Sequence, residues 1–331
     1  MSSNQISQSR RNTIRTIVAL ASASLPLTGA QAQSFPDHPI RLLVGYPAGG
    51  GTDQVARLLA QRLSDLLGQQ VVVVNQPGAT GAIAVEKVAA SAADGYTLLL
   101  ISIADTVVPA LRAKLPYDLE RDLVGVAPIV GGPFALVVNT SLPVANVKEL
   151  IAFALSHPGK LNYGSPGVGN SLHLAGEQFK LMTKTDIVHV PFKGAAEAVT
   201  ATVGGQVDLC FPPLSTVLPL VDAGKLKLLA VTGSTRASSL PNIPTIAESG
   251  VAGYDRTTWF GVAAPSATPK PIIAKLNDAI NKVMSTAEMK QIHAKQNFEP
   301  MKSSAEKFNA FMKNEIIQSA VLIRGLGIKP E

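Results

Sequence analysis

The sequence predicts an α/β protein with mostly parallel sheets flanked by helices, and three observations support this fold class. Short apolar runs alternate along the chain with longer segments whose apolar residues recur every three and four positions, the spacing of one helix face. The short runs are continuous rather than alternating, which is typical of strands covered on both faces. The chain has 331 residues, of which 46% are apolar and one is cysteine, so it is long enough for two lobes that fold without disulfides.

The first α/β unit follows the pattern strand, helix, strand, helix, strand. Gly68 stands just after the first helix, where glycine commonly ends one. The five elements are predicted at 40–44, 55–67, 71–74, 82–90 and 98–101.

The same alternation restarts at 134–138, which predicts a second unit. Its first helix has Asn146 as N-cap and Glu149 three residues later, the spacing of a capping box. The final helix has Ser303 and Glu306 at the same spacing. The remaining elements are predicted at 161–164, 172–181, 187–190, 195–203, 207–211, 216–223, 226–231, 259–264, 270–284 and 303–324.

Two segments, 128–133 and 254–260, are candidates for crossing between lobes. If both cross, the first lobe is discontinuous and comprises residues 33–132 and 259–331, with the second lobe, 133–258, inserted between them. Two lobes in series are the alternative, but they leave the C-terminal segment with little to pack against. We predict the discontinuous arrangement, in which the double crossing makes a hinge.

Residues 1–32 are predicted to be a signal peptide that is removed. A basic region ending at Arg15 precedes an apolar stretch at 16–27, and Ala30-Gln31-Ala32 forms an A-x-A cleavage site. The apolar stretch is too short to anchor the protein in a bilayer, so an exported, soluble mature chain is expected. The pair Arg10-Arg11 partly resembles a twin-arginine signal, which leaves both the Sec and the Tat route open.

Charge and side-chain chemistry exclude several classes of protein. The net charge is +6, but half of it comes from arginines in residues 1–32, so the weak surplus of the mature chain argues against nucleic-acid binding. The five histidines lack metal-ligand spacing, so neither a metal nor a cofactor is predicted. Cys210 stands alone in an apolar run and is predicted to be a buried, inert thiol.

The strongest local signal is a glycine-rich turn, 46–53, between the first strand and the first helix. Amides of such a turn converge on one point, and the helix N-terminus adds partial positive charge, so the turn is a candidate anion site. The turn has no lysine or arginine, which suits a carboxylate better than a triphosphate. A tight turn in which Thr52 or Asp53 caps the helix is the alternative. The candidate ligand-binding residues are Tyr46, Ala48, Gly49, Gly50, Gly51 and Asp53.

A second glycine-rich turn, 164–171, occupies the equivalent place in the other lobe, again between a strand and a helix. Two helix N-termini that face one cleft can bind a small anion from both sides. The candidate ligand-binding residues of this region are Ser165, Gly167, Gly169, Asn170 and His173.

Three further side chains have more than one interpretation. Lys193 stands just before a helix and can offer a charge-assisted hydrogen bond, although a solvated lysine at a loop edge is favoured. Asp208 lies in an apolar run, so its carboxylate is expected to accept backbone hydrogen bonds, either as a loop organiser, which we favour, or at the cleft. A triad of Ser165, His173 and Asp208 is not predicted, because the G-x-S-x-G nucleophile elbow is missing, and no catalytic residue is assigned.

Several blocks in a fixed order resemble the extracytoplasmic solute receptors of tripartite tricarboxylate transporters, the TctC or Bug family. The resemblance covers nearly the whole mature chain, and order and spacing together make it specific. Its blocks include Gly49-Gly50-Gly51-Thr52-Asp53, Asn75-Gln76-Pro77-Gly78-Ala79, Asp94-Gly95-Tyr96-Thr97-Leu98, Tyr163-Gly164-Ser165, His189-Val190-Pro191-Phe192-Lys193-Gly194 and Gly204-Gly205-Gln206-Val207-Asp208.

The resemblance implies a two-lobed periplasmic-binding-protein fold of type II, the Venus flytrap. It implies a periplasmic receptor, not an enzyme, that holds one small organic carboxylate in the cleft and delivers it to an integral-membrane permease. We expect a monomer that binds no nucleic acid. The two glycine-rich turns would hold the carboxylate, and selectivity would come from loops at 102–105 and 193–195. These loops add Ser102, Ala104, Lys193, Gly194 and Ala195 to the candidate ligand-binding residues.

Two residues depart from the common pattern of that family. Gln76 stands where arginine is frequent, and Thr80 stands where glycine is frequent. Because both flank the cleft, the distal end of the ligand stays undefined, and an aromatic acid is among the choices. An exported enzyme that uses Ser165 or Lys193 on an anionic substrate, and a receptor that serves a signalling protein, are the alternative functions.

Overall fold

The chain folds around two mixed sheets, one of six strands and one of five, with helices packed against both. The computed structural model describes residues 35–328 and Pro330. The predicted signal peptide, 1–32, lies outside the described residues. From His38 onward the described chain forms one compact unit.

Strands of the six-stranded sheet come from both ends of this unit. They are β1 (Ile40–Val44), β2 (Val71–Asn75), β3 (Thr97–Ser102), β4 (Leu123–Pro133), β10 (Thr257–Pro265) and β11 (Glu299–Pro300). The accompanying helices are α1 (Gly51–Leu67), α2 (Ala82–Ala89), α3 (Ile103–Leu111), α4 (Leu119–Asp122), α9 (Lys270–Met284), α10 (Ala287–Ala294) and α11 (Ala305–Gly325).

The five-stranded sheet is built from the middle of the chain. Its strands are β5 (Ala135–Asn139), β6 (Asn162–Ser165), β7 (Val188–Pro191), β8 (Leu209–Cys210) and β9 (Leu226–Val231). The helices that connect them are α5 (Val147–Ser156), α6 (Ser171–Thr183), α7 (Ala195–Val203) and α8 (Leu214–Asp222).

Each sheet has mostly parallel strands with a reversed strand inside it. The six-stranded order is β11-β4-β10-β3-β1-β2, in which β1, β2 and β3 are parallel and β10 runs against both of its neighbours. The five-stranded order is β7-β6-β8-β5-β9, in which β5 runs against β8 and β9. The chain passes from one sheet to the other between β4 and β5, and it returns between β9 and β10.

Each sheet has its own apolar core. One core joins the five-stranded sheet to α5 and α6 and includes the fully buried rings of Tyr163, Phe179 and Tyr254. The other lies between the six-stranded sheet and α11, where the ring of Trp259 meets that of Phe308 at a centroid distance of 5.8 Å.

The residues that cap the helices are partly as predicted. Asn146 caps α5 through a 3.0 Å hydrogen bond that its side chain accepts from the Glu149 amide, which confirms the predicted cap. The predicted cap at Ser303 is wrong by one residue, because the Ser304 hydroxyl accepts the hydrogen bond from the Lys307 amide. Cys210 is buried, and this burial raises the pKa of its thiol to about 12.

Candidate functional site

The first glycine-rich turn lies at an edge of the six-stranded sheet where several strands end together. Strands β2 and β3 are the parallel neighbours of β1, so the carboxyl ends of all three strands lie at the same edge. The turn after β1, the segment 76–81 after β2 and the start of α3 after β3 therefore lie side by side. This is the edge at which open α/β sheets commonly bind ligands.

The Asp53 carboxylate organises this turn. One of its oxygens accepts hydrogen bonds from the Gly49 amide and the Arg57 Nε, both at 2.8 Å, and the other accepts one from Asn75 Nδ2 at 2.9 Å. These contacts, with that of Arg57 as the largest, lower the pKa of Asp53 to about 2. Because Asp53 is only 2% exposed and both of its carboxylate oxygens accept hydrogen bonds, we favour a structural role for it, and its contact with a ligand stays a prediction.

The start of α1 offers hydrogen-bond donors that no side chain caps. Gly50 is the N-cap, with an extended backbone, and has no side chain to accept a hydrogen bond. The first amides of a helix have no preceding carbonyl in the helix to bind. Those of Gly51 and the next two residues therefore point toward an exposed turn, and the helix dipole adds partial positive charge there.

A polar cluster of Tyr46, Ser102 and Asp105 borders the turn. Asp105 accepts hydrogen bonds from the amide and the hydroxyl of Ser102 at 2.7 and 2.8 Å, and so caps α3. A Cβ placed on Gly81 would lie 2.7 Å from an Asp105 oxygen and 3.5 Å from the Tyr46 hydroxyl, so both side chains lie against Gly81. Burial raises the pKa of Asp105 to about 6. The hydroxyl of Ser102 is thus bonded within the cap of α3. Ala104 lies half-buried in the first turn of that helix.

The second glycine-rich turn lies between β6 and α6 and is fixed by its own side chains. The Ser165 hydroxyl accepts a hydrogen bond from the Gly167 amide at 3.2 Å, and Asn170 caps α6 by accepting one from Leu172 at 3.0 Å. His173 Nδ1 accepts one from the Gly169 amide, also at 3.2 Å. All five predicted residues of this turn are thus brought together, and the polar side chains of Ser165, Asn170 and His173 are bonded to the turn itself.

Sequence reasoning missed His189. Its Nε2 lies 2.6 Å from the Ser165 hydroxyl, and its ring lies 4.2 Å from that of His173, measured between centroids. Burial lowers the pKa of both histidines, that of His173 to about 4 with His189 as a second cause. The two rings are therefore neutral at neutral pH. The contact arises from the pairing of β6 with β7, which places Tyr163 opposite His189. The sequence alone does not reveal this register.

The loop 192–195 lies beside the second turn. The Phe192 amide donates a 2.8 Å hydrogen bond to the Ser165 carbonyl, and Gly194 is the N-cap of α7, without a side-chain hydrogen bond. Lys193 is exposed, and its amide donates to the Glu197 carboxylate at 2.9 Å. This side of the site therefore has an uncapped helix N-terminus and one exposed lysine side chain.

Asp208 lies at the opposite end of the five-stranded sheet. Its carboxylate accepts a 2.8 Å hydrogen bond from the amide of Asn162, the first residue of β6, whereas Ser165 is the last residue of that strand. This contact is the one expected of the loop organiser that we favour, and the inclusion of Asp208 among the ligand-binding residues stays a prediction.

Helix α3, which starts beside the first turn, reaches the second turn at its other end. A Cβ placed on Gly169 would lie 2.6 Å from Leu111, at the end of α3. An apolar cluster formed by α3, α6 and α11 continues this contact and contains Val107, Leu174, Leu322 and Ile323. Helix α3, which starts beside the first turn, is therefore in direct contact with the second turn and with α6.

Among the described residues, no helix combines the length and hydropathy needed to cross a membrane. No group of three or more histidine, cysteine or acidic side chains there is arranged to hold a metal ion.

Comparison with known proteins gives consistent results. The model of the tripartite tricarboxylate transporter family receptor, TctC, matches residues 55–328. Protein BugT of Bordetella pertussis is 35% identical over 318 residues, which cover 96% of this chain and 97% of BugT.

Solved structures of similar proteins are consistent with the match to this family. R. palustris Rpa4515 with adipate has a TM-score of 0.75 and 35% identity, covering 90% of this chain and 100% of that one. MatC (Rpa3494) from Rhodopseudomonas palustris with bound malate has a TM-score of 0.70 and 29% identity, covering 87% and 100%. The predicted two-lobed periplasmic-binding-protein fold is thereby confirmed. The chain belongs to the tripartite tricarboxylate transporter receptor family, in which it is related to the Bug proteins.

Proposed function

We propose that the chain is an extracytoplasmic receptor that binds one small organic carboxylate between its two sheets and delivers it to an integral-membrane permease. The observation that carries this proposal is the uncapped N-terminus of α1, whose amides lie in an exposed glycine-rich turn. The neighbours with adipate and malate support a carboxylate as the ligand. A receptor for such ligands acts in the periplasm as a monomer, after removal of residues 1–32.

The physical basis of binding is the exchange of water for fixed dipoles. A carboxylate between the turns accepts hydrogen bonds from amides that are already oriented, so little reorganisation is required. Closure of the lobes excludes water, and the attraction of the anion to the helix N-termini then acts in a lower dielectric. Ligand contacts on both sides favour the closed state over the open one.

The topology supports a discontinuous first lobe. Strands of the six-stranded sheet lie on both sides of β5–β9 in the sequence. We therefore propose residues 33–132 and 259–331 as the first lobe and 133–258 as the second. The two crossings are the natural place for a hinge.

One observation favours an enzyme as the second candidate. The Ser165 hydroxyl and His189 Nε2 are 2.6 Å apart, which is the contact of a serine nucleophile with its base. Ser165 is fully buried, however, and its hydroxyl also serves the Gly167 amide. We favour binding without chemistry. A hydrolysis assay on anionic esters that loses all turnover on Ser165→Ala would support the enzyme instead.

Isothermal titration calorimetry tests the receptor. We expect at least one acid in a panel containing adipate, malate, tricarboxylates and aromatic acids to bind the purified protein with a stoichiometry of one. Gly50→Asp places a negative charge at the N-terminus of α1 and should weaken binding at least tenfold. Because aspartate is a good N-cap, the variant should fold with unchanged or slightly increased stability.

Gly50→Asn is the matched control, because it has the same shape and capping ability without the charge. A Cβ at this position meets only the Pro47 carbonyl oxygen at 3.6 Å, an ordinary contact. Binding by the asparagine variant should stay well above that of the aspartate variant. A flat response of the wild type across the panel, or equal affinities for the two variants, would overturn the proposal.

A further inference from the structure

A cavity lies between a helix of the five-stranded sheet and a helix of the six-stranded sheet, away from both glycine-rich turns. It has a volume of about 490 Å³ and is bounded by the C-terminal half of α6, the returning segment 253–256 and α11. The side chains that matter below are Leu181, Met182, Asp255, Arg256, Glu315 and Val321.

The guanidinium of Arg256 is the unusual group in this cavity. Arg256 is 5% exposed, and its Nε and Nη2 are buried without a hydrogen-bond partner among the described residues. Its backbone is held firmly, because its amide donates to the Thr232 carbonyl at 2.8 Å. An arginine stays charged in proteins, and buried N–H groups without a hydrogen bond are costly. Arg256 lines the cavity, so its guanidinium is the positive group that a ligand there meets.

Two carboxyl groups line the same cavity, so a simple anion is a poor fit. Glu315 accepts a 3.1 Å hydrogen bond from the indole of Trp259, and Asp255 accepts one from the Ser234 amide, also at 3.1 Å. Each carboxylate is thereby held in place with further acceptor capacity. A ligand that brings both an anionic and a cationic group satisfies all three charges.

The rest of the cavity wall is apolar and open at its mouth. The side chains of Leu181 and Val321 are 58% and 53% exposed, and Met182 is 37% exposed. They come from α6 and α11, on opposite sides of the cavity. An aliphatic group resting on them would remove apolar surface from water.

We propose that this cavity binds an α-amino acid with an aliphatic side chain. The carboxylate of the ligand pairs with the Arg256 guanidinium, its ammonium group pairs with Glu315 and Asp255, and its side chain packs on the apolar mouth. Such a ligand bridges a helix of the five-stranded sheet and a helix of the six-stranded sheet. The proposal does not depend on the function proposed for the cleft.

Methyl NMR of the purified protein locates the binding event. With ¹³C-methyl methionine labelling, L-leucine should shift the Met182 signal, which Met182→Leu assigns, and leave that of the fully buried Met289 on α10 in place. Two probes each lack one charge: 4-methylpentanoate has no amino group, and 3-methylbutylamine has no carboxylate. Each should bind at least tenfold more weakly than leucine. No Met182 shift at millimolar leucine, or equal affinity for leucine and the two probes, would overturn the proposal.

Variants separate this cavity from the cleft. Arg256→Met should abolish the leucine response, whereas Gly50→Asp, at the cleft, should preserve it. If Arg256→Met does not fold, Leu181→Glu at the mouth should weaken leucine binding at least fivefold. Its control is Leu155→Glu on α5, where the parent residue is similarly exposed at 53%. A leucine response lost in Gly50→Asp and kept in Leu181→Glu would assign the amino acid to the cleft and refute the cavity site.

Discussion

Thr80 has a backbone conformation that suits glycine better. Its φ and ψ are 58° and 37°, in the left-handed region, and the residue is exposed. A side chain with a Cβ costs roughly 1–2 kcal/mol there. This is also one of the two positions at which the sequence departs from the pattern of its family, where glycine is frequent.

We predict that Thr80→Gly raises the free energy of unfolding by about 1 kcal/mol, because the gain in the folded state exceeds the entropy that glycine adds to the unfolded state. Urea denaturation measures the change. Thr80→Ala is the control, since it keeps the Cβ and should give no comparable gain. Equal stabilisation by the two variants would contradict the backbone explanation.

His173 should make stability depend on pH. Burial lowers its pKa in the folded protein to about 4, whereas the pKa of an unfolded histidine is about 6.5. The unfolded state therefore binds a proton that the folded state rejects. The stability from this residue is fully present above about pH 6.5 and is lost as the pH falls toward 4, by up to about 1.4 kcal/mol per pH unit.

Urea denaturation of the wild type and of His173→Gln between about pH 4.5 and 7.5 tests this pH dependence. The range spans the pKa of an unfolded histidine, about 6.5. The glutamine carbonyl can still accept from the Gly169 amide, so the turn keeps its hydrogen bond. The stability of the wild type relative to the variant should decline with falling pH. Parallel profiles for the two proteins would show that His173 does not carry the effect.

At the scale of elements, close backbone contact fixes the position of the first turn. A Cβ placed on Gly45 would lie 2.7 Å from the Cα of Gly81, so the end of β1 and the start of α2 touch without side chains between them. Gly81 in turn borders Tyr46 and Asp105. The shape of the polar cluster therefore depends on two glycines that follow different strands.

We predict that Gly45→Ala lowers the free energy of unfolding by about 1–3 kcal/mol, the usual cost of overpacking, and weakens carboxylate binding at least tenfold. Denaturation and calorimetry measure the two effects. Gly204→Ala is the control, because the nearest atom to its Cβ would be a carbonyl oxygen at 3.5 Å. A tolerated Gly45→Ala with full affinity would mean that the two segments move apart easily.

Elements with a strong local pattern were predictable from the sequence, and those made by distant pairing were not. Helix α9 has the predicted bounds, 270–284, because its apolar residues follow the helical spacing closely. Strand β4 was missed, because glycines and prolines interrupt its apolar run and only its pairing with β10 makes it a strand. Both glycine-rich turns were found, whereas the contact of Ser165 with His189 depends on register, which no local pattern reveals.

At the scale of the whole molecule, a ligand held by both turns should tie the unfolding of the two sheets together. Trp259, the single tryptophan, lies in β10 and reports on the six-stranded sheet only. Circular dichroism reports on both sheets. With an acid from the panel at a concentration of 100 times its dissociation constant, stability should rise by about 2.7 kcal/mol, and both signals should change together.

Gly50→Asp serves as the control here as well, since it should show no ligand-dependent shift at the same concentration. If the ligand shifts the fluorescence transition and leaves a separate dichroism transition unmoved, it binds only one of the two sheets.

The chain leaves and re-enters the six-stranded half at a single place. The Phe134 amide donates to the Thr232 hydroxyl at 2.8 Å, and the Thr232 amide donates to the Phe134 carbonyl at 3.0 Å. Pro133, the last residue of β4, pairs with Thr257, the first residue of β10, so the segment between these two strands begins and ends on adjoining residues. Recombination between related genes can replace that segment at two splice points that are neighbours in space, giving a receptor with one inherited half and one new half. Ligand preference can diversify in this way while the other half stays unchanged.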